Sequence, residues 1–387
     1  MARKRLDPKP APRETPTDAA GTRGSGGGLR GTRAESRLGD RDREILKDII
    51  HTYALTGDPV SSRLLSKHTQ HSLSAASIRN TMADLEDLGL LRQPHTSAGR
   101  VPTESAYRMY VQTLMTTERL PARERRYIHD QMDVASDADR VLAVASHLLS
   151  ELSSQIGVVL KPAVEEIVLR SADFVPLGGQ RVLCVVVSQN GFVDNVVVET
   201  ESVIPRRDLV RFSNYVTDHF AGQTVREIRD HLLTIMAEEK SHLDEWLRSA
   251  IAFAQQALTG STAPRDVLVE GTTSLLGQPE LSDLETVRRM LDTFADKARL
   301  TNVLSLCLES GDGVRVYLGE DSEVTQELDF SLVATPYTAD GQPIGTLGVI
   351  GPSRMEYPRV VPLVRYLSDT LSQALARDQD QVSTEHS

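Results

Sequence analysis

The sequence predicts an α+β chain of several domains, with a winged helix-turn-helix near its N-terminal end and an antiparallel-sheet domain interrupted by a helical insertion. Three observations predict it. At 387 residues the chain is too long for one ordinary core. Short helical patterns followed by a hairpin pattern fill residues 39–115. Beyond them, hairpin signals recur on either side of a helical block.

Composition narrows the class. No apolar run approaches the roughly 20 residues of a membrane span, so a soluble chain is expected. Basic residues near the start are not followed by an apolar stretch, which argues against a secretory signal. The two cysteines, Cys184 in VLCVVV and Cys307 in LSLCLES, sit in apolar runs that read as strands. Free Cys there behaves as a small hydrophobe, and a cytoplasmic location without disulfides follows. The formal charge of −11 is unevenly placed. Residues 1–38 hold nine Lys/Arg against four Asp/Glu and residues 39–115 hold nine of each, so the acid lies behind them.

Residues 1–38, rich in Pro, Gly, Ser and Arg, read as a disordered basic tail. Their GSGGG lacks the preceding strand and the following GK[ST] of a phosphate loop. From Arg41, RDREILKDIIHTYALTG places Ile45, Leu46, Ile49, Ile50 and Tyr53 at helical spacing, with Gly57 as the stop. DPVSSRLLSKHT fits a second helix of about two turns, capped by Ser61 or Ser62. In SAASIRNTMADLEDLG, Ser74 is the N-cap, Ile78, Met82, Leu85 and Leu88 form the apolar stripe, and Gly89 suits a left-handed stop. At 100° per residue, Ala76, Arg79, Asn80 and Ala83 fall on the opposite side. LLRQP, HTSAGR and Val101-Pro102 then read as strand, turn and return strand, the wing. Thr103 caps a closing helix with Tyr107, Tyr110, Val111 and Leu114.

The next part, 116–203, opens with a helix from about Asp137. Strands follow at IGVVLKP, EEIVLRSADFVPL, RVLCVVVSQ and FVDNVVVETE, the last two joined across Asn190-Gly191, a strong hairpin signal. Residues 204–262 read as a helical insertion that holds the one tryptophan, Trp246, and whose apolar stripe needs a partner. In 263–377, TNVLSLCLES and VRVYLG read as strands around Gly311-Asp312-Gly313, and SLVATPYT and PIGTLGVIG around Asp340-Gly341. Helices at 284–294 and 358–375 complete the domain, and 378–387 form a C-terminal tail.

The exposed face of the SAASIRN helix carries the chemistry. Small Ala76 and Ala83 let the backbone approach another surface closely, and Arg79 and Asn80 can form bidentate hydrogen bonds to base edges. Ser74 and Ser77, at the positive end of the helix, are placed to meet phosphates. In the wing, Arg92, His95 and Arg100 flank the small-residue tip Thr96-Ser97-Ala98-Gly99, suited to a minor groove or to phosphates. A plain surface helix would look similar without the neighbouring short helix and the wing. A module of zero net charge on an acidic body holds DNA weakly by charge alone, so selectivity requires base contacts made twice. A symmetric homodimer on an inverted repeat supplies them, with the insertion as the dimer element and Trp246 either in or near its contact or in the core of the insertion itself.

The sequence shows no nucleophile elbow, metal-spaced His/Cys cluster or phosphate loop. His231 and His242, with Glu238 and Glu239, are spaced unsuitably for one ligand face and read as a solvated charged face. No enzymatic activity and no cofactor are expected.

SSRLLSK, SAASIRNTMADLEDLGLLRQPHTSAGRVPTESAYRMYV, GTTSLLGQPELSD and GTLGVIGPSRMEYPRVVPLVRYLSDTL together resemble the bacterial heat-inducible transcription repressor HrcA family over about residues 40–377. The long basic tail departs from the family pattern. The resemblance implies a winged-helix domain, a GAF-like domain split into 116–203 and 263–377, and an inserted dimerisation domain. It further implies a dimer on the inverted-repeat CIRCE operator of groE- and dnaK-type chaperone operons, and dependence on a GroEL-type chaperonin whose titration on heat stress relieves repression. A metabolite-sensing winged-helix regulator and an enzyme with a DNA-binding appendage are the alternatives. The protein would be nucleoid-associated when bound to DNA.

Overall fold

The computed structural model describes residues 38–68, 73–96, 98–116, 119–135, 137–200, 202–238, 265–275, 284–311, 313–328, 330–339 and 341–384. The predicted basic tail up to residue 37 and Trp246 lie outside them.

The first part comprises α1 (Asp40–Thr56), α2 (Ser62–His68), α3 (Ala75–Asp87), the two-residue strands β1 (Leu91–Arg92) and β2 (Val101–Pro102), and α4 (Glu104–Met109), which runs into a π turn at Tyr110–Leu114. α1 stops where expected because Gly57 adopts φ 71° and returns its amide to the Tyr53 carbonyl. Ile45, Leu46, Ile49 and Ile50 of α1 share one buried core with Ile78, Met82 and Leu85 of α3. Each such side chain contributes roughly 1.5–3 kcal/mol.

α5 (Ala122–Asp133) and α6 (Ala138–Ser153) lead to β3 (Ile156–Leu160). Then come β4 (Leu169–Gly178), β5 (Arg181–Ser188), β6 (Val193–Glu199), α7 (Arg206–Phe220) and α8 (Val225–Glu238). The last part holds β7 (Val267–Glu270), α9 (Leu284–Ala295), α10 (Lys297–Glu309), β8 (Arg315–Leu318), α11 (Glu323–Leu328), β9 (Phe330–Ala339), β10 (Gln342–Pro352) and α12 (Tyr357–Thr384).

An antiparallel five-stranded sheet in the order β7-β3-β10-β9-β8 forms the body. Alternate residues serve its two faces. Val159, Val333, Leu347 and Val349 pack in one core with α6 and α12, while Val158, Leu160, Leu332 and Ile350 pack in another with α9 and α10. Tyr337, fully buried, donates its hydroxyl to the Leu160 carbonyl at 3.0 Å and fills the space beside Gly345.

Four features differ from the sequence expectation. TNVLSLCLES is not a strand but most of α10. Asp296 accepts from the amides of Ala298 and Arg299, and Leu300, Val303, Leu304 and Cys307 bury one helical stripe while Leu306 stays half-exposed. Its alternating residues suit both periods, and tertiary packing selects the helix. Secondly, β4, β5 and β6 form a sheet of their own. α7 is not part of a purely helical block: Leu209, Phe212 and Val216 share a core with Phe174, Cys184 and Val186 on that sheet. Because β3 and β7 are hydrogen-bonded neighbours, everything between them leaves and re-enters the body at one place. Thirdly, α5, β7 and α11 fall where the sequence pattern gave no element. Lastly, α12 continues past residue 377 to Thr384.

Candidate nucleic-acid interface

The α3 N-terminus is built from two serines and an arginine. Ser74 caps the helix by accepting from the Ser77 amide at 3.2 Å. Arg41, at the start of α1, donates to the Ser77 carbonyl at 3.3 Å and also to the Ser77 hydroxyl. A guanidinium therefore stands at the end of α3 that already carries the positive helix dipole. Arg41 was not legible as a site residue. Its signal would have been an arginine in the first turn of α1, which the packing of α1 against α3 brings to the start of α3.

Past this end, Ala76, Arg79, Asn80 and Ala83 are all exposed, opposite buried Ile78, Met82 and Leu85. Among the described residues, neither Arg79 nor Asn80 has a hydrogen-bond or ion-pair partner. Two donor-bearing side chains thus stand on a low, small-residue surface, free to bond a ligand placed against it. On α2, Arg63 and Lys67 are exposed one turn apart, a second pair of cations that the sequence reading passed over.

The hairpin after α3 is tied down at its return strand. Val60 and Arg100 exchange backbone hydrogen bonds of 2.9 and 2.8 Å, which add the α1–α2 loop as a third strand-like piece. The approach is close enough that a Cβ on Gly99 would lie 2.3 Å from the Val60 carbonyl oxygen, so only glycine fits there. Gln93 donates to the carbonyls of Thr96 and Ala98 at 3.0 Å each and shapes the tip. Arg92 and His95 are exposed; Ser97 lies outside the described residues. Arg100 differs from the expected outward contact. Its Nε lies 2.8 Å from Glu86 Oε2 in a partly buried ion pair, because the backbone pairing with Val60 turns the side chain back toward the end of α3.

The comparisons with known proteins decide the family. Residues 139–361 match the HrcA protein C-terminal domain. "Heat-inducible transcription repressor HrcA" of Syntrophobacter fumaroxidans is 36% identical over 341 residues, which cover 88% of this chain and 98% of that protein. The proteins of the same name from Geobacter sulfurreducens, 37% identical over 87% of this chain and 98% of that protein, and from Xanthomonas euvesicatoria pv. vesicatoria, 38% identical over 87% and 96%, match equally broadly.

The chain belongs to the HrcA family.

A crystal structure of a hypothetical protein at 2.2 Å resolution, 23% identical, aligns with this HrcA-family chain at a TM-score of 0.55, over 89% of it and 99% of that structure, and so shares the fold. The α3 face lies outside the matched C-terminal region, so its geometry is an observation independent of that match.

The two cysteines of this HrcA-family chain are free and buried. Burial, reinforced by Asp194 and Asp173, pushes the Cys184 thiol up to about 12, and burial pushes Cys307 up to about 11. Neither is a ready nucleophile at neutral pH. Among the described residues no group of three His, Cys, Asp or Glu is placed to hold a metal ion, and no helix is long and apolar enough to cross a membrane.

Proposed function

We propose that this chain is a heat-inducible transcription repressor, not an enzyme, that acts in the cytoplasm on nucleoid DNA. In this reading residues 39–115 are a winged-helix domain whose α3 enters the major groove of double-stranded DNA. The observation that carries it is the α3 face itself: Arg79 and Asn80 exposed and, among the described residues, unpartnered between Ala76 and Ala83, beside a capped helix start bearing Ser74, Ser77 and Arg41. Arg79 and Asn80 are assigned to base edges. Ser74, the Arg41–Ser77 pair, Arg92 and His95 are assigned to phosphates or the minor groove. Arg100 is assigned to holding the hairpin against α3.

The target is an inverted repeat of the CIRCE type, bound by a homodimer. Support comes from the outer face of the β4-β5-β6 sheet, where Val175, Leu183 and Val197 form one cross-strand row and Val187 and Val193 another. Val175, Leu177, Val193 and Val197 are 45–54% exposed, an apolar surface that suits a second copy. The dimerisation unit is therefore assigned to the whole piece between β3 and β7, Trp246 included. The antiparallel sheet clad in helices on both faces supports a GAF-like body for the flanking parts.

A GroEL-type chaperonin is the proposed partner in reaching the active form. Its need is physically reasonable here, because β3 and β7 pair only after the intervening insertion has been made and set aside. Such non-local pairing is slow and leaves apolar edges open. Footprinting on the protein's own upstream regions, with and without chaperonin, tests the proposal. Protection of two symmetric half-sites, strengthened by chaperonin, supports it. Protection without symmetry contradicts it.

A further inference from the structure

The α3-bearing part and the sheet body meet along one seam, and two arginines cross it in opposite directions. From the first part, Arg108 of α4 donates through Nη1 to Asp321 Oδ2 at 2.9 Å and through Nη2 to the Leu318 carbonyl at 3.4 Å, while the same Nη2 is 2.7 Å from Glu104 Oε1. From the body, Arg354, between β10 and α12, donates Nη1 to the Ala54 carbonyl at 3.0 Å. Ala54 lies in the last turn of α1, where carbonyls lack helical partners and the dipole is negative, so a cation is the favoured cap. Between the two arginines the rings of Tyr107 and Tyr357, both buried, lie 5.9 Å apart and tilted by 55°.

The body loop is shaped for this approach. Gly319 adopts φ 48°, and a Cβ there would meet Glu104 Oε2, whose carboxylate Arg108 already holds. The seam is not filled throughout. A cleft of about 90 Å³ remains between His51 and Ala54 on one side and Met355 and Arg359 on the other. Among the described residues these bonds, with the buried Tyr107–Tyr357 contact, join the two parts beside that cleft.

We propose that Arg108 and Arg354 are positioning residues for DNA recognition, which set the direction of α3 relative to the body and hence the half-site separation that the pair of α3 helices can span. This rests on the reading of the chain as a dimeric repressor of inverted-repeat DNA. The angle matters because two α3 helices must enter the groove at a fixed spacing, and a joint that swings loses the match at both ends. The interaction is between parts of one chain, so it acts without changing any group that touches DNA.

The test uses the full chain. Cysteines are introduced by Leu55→Cys on α1, away from the α3 face, and Leu306→Cys on α10, both exposed, while the buried native thiols stay unlabelled. Pulsed electron-spin distance measurements are made on spin-labelled chain diluted with unlabelled chain. The same proteins are then titrated with inverted-repeat duplexes, selected by the parent from a random pool, whose central spacer is lengthened or shortened base pair by base pair. The parent should give one narrow distance and prefer one spacer at least tenfold. Arg108→Ala combined with Arg354→Ala should broaden the distance and flatten the spacer preference to within about threefold, with the circular dichroism unchanged. The conservative pair, Arg108→Lys combined with Arg354→Lys, keeps a cation at each contact and should recover the narrow distance and the spacer preference together. An unchanged distance, or a broadened distance with spacer preference intact, overturns the proposal. A parent that selects no duplex at all, yet shows the narrow distance, fails the repressor reading itself and removes the role assigned to the joint.

Discussion

Two exposed surfaces of this molecule have opposite character. The α3 face is low and polar, with Ala76 and Ala83 beside Arg79 and Asn80, over a fully buried stripe. The outer face of the β4-β5-β6 sheet carries two apolar rows, with Val175, Val193 and Val197 about half-exposed, on either side of the row Asp173–Val185–Asn195. The first is stable in water and gains by meeting a charged, grooved partner. The second gains by removing its apolar rows from water and suits a protein partner. A repressor acting through paired half-sites needs both, one to read and one to duplicate the reader.

The largest effect should come from the second surface. Replacing Val193 and Val197 together by Asp should convert dimer to monomer in sedimentation and lower inverted-repeat affinity by about 10²–10⁴-fold through lost bivalency. An intact dimer would transfer the pairing to another surface. Next in size, Leu85→Ala under α3 should cost roughly 2–5 kcal/mol in denaturant unfolding, since the side chain is completely buried.

On the α3 face, Arg79→Ala or Asn80→Ala should cost about 1–3 kcal/mol per half-site in fluorescence anisotropy and relax sequence choice, with the dimer untouched. Equal affinity and equal selectivity in the mutants would mean that α3 does not read bases. Smaller still, Ser74→Ala should cost about 0.5–2 kcal/mol of stability through the lost cap. Deleting residues 1–38 should flatten the salt dependence of binding without altering sequence preference, since nine Lys/Arg there offer only phosphate contacts.

The first surface was legible in the sequence and the second was not, for a physical reason. In α3 the cap, the 3.6-residue stripe and the stop are local, so Ser74, Ile78, Leu85 and Gly89 announce the helix and its free side within one short stretch. Which sheet a strand joins is decided by partners far away. The runs in β4, β5 and β6 read correctly as strands, yet nothing local says that they pair only with one another. The same limit explains α10, where Leu304, Leu306 and Leu308 alternate as a strand would until the sheet beneath selects the helical stripe. Arg100 looked like a wing cation because its charge is written in the sequence, while its ion pair with Glu86 depends on the Val60 bridge, some forty residues away. Arg41 was missed by the converse: its neighbours in sequence are ordinary helix residues, and only packing brings it to Ser77.

The most direct measurement compares the affinity of the full chain for a selected inverted-repeat duplex with that for one half-site of the same duplex, at a single salt concentration. A neutral reading surface made selective by duplication predicts a ratio of about 10²–10⁴ in favour of the repeat, lost when Val193 and Val197 carry Asp. Equal affinity for half-site and repeat would contradict it.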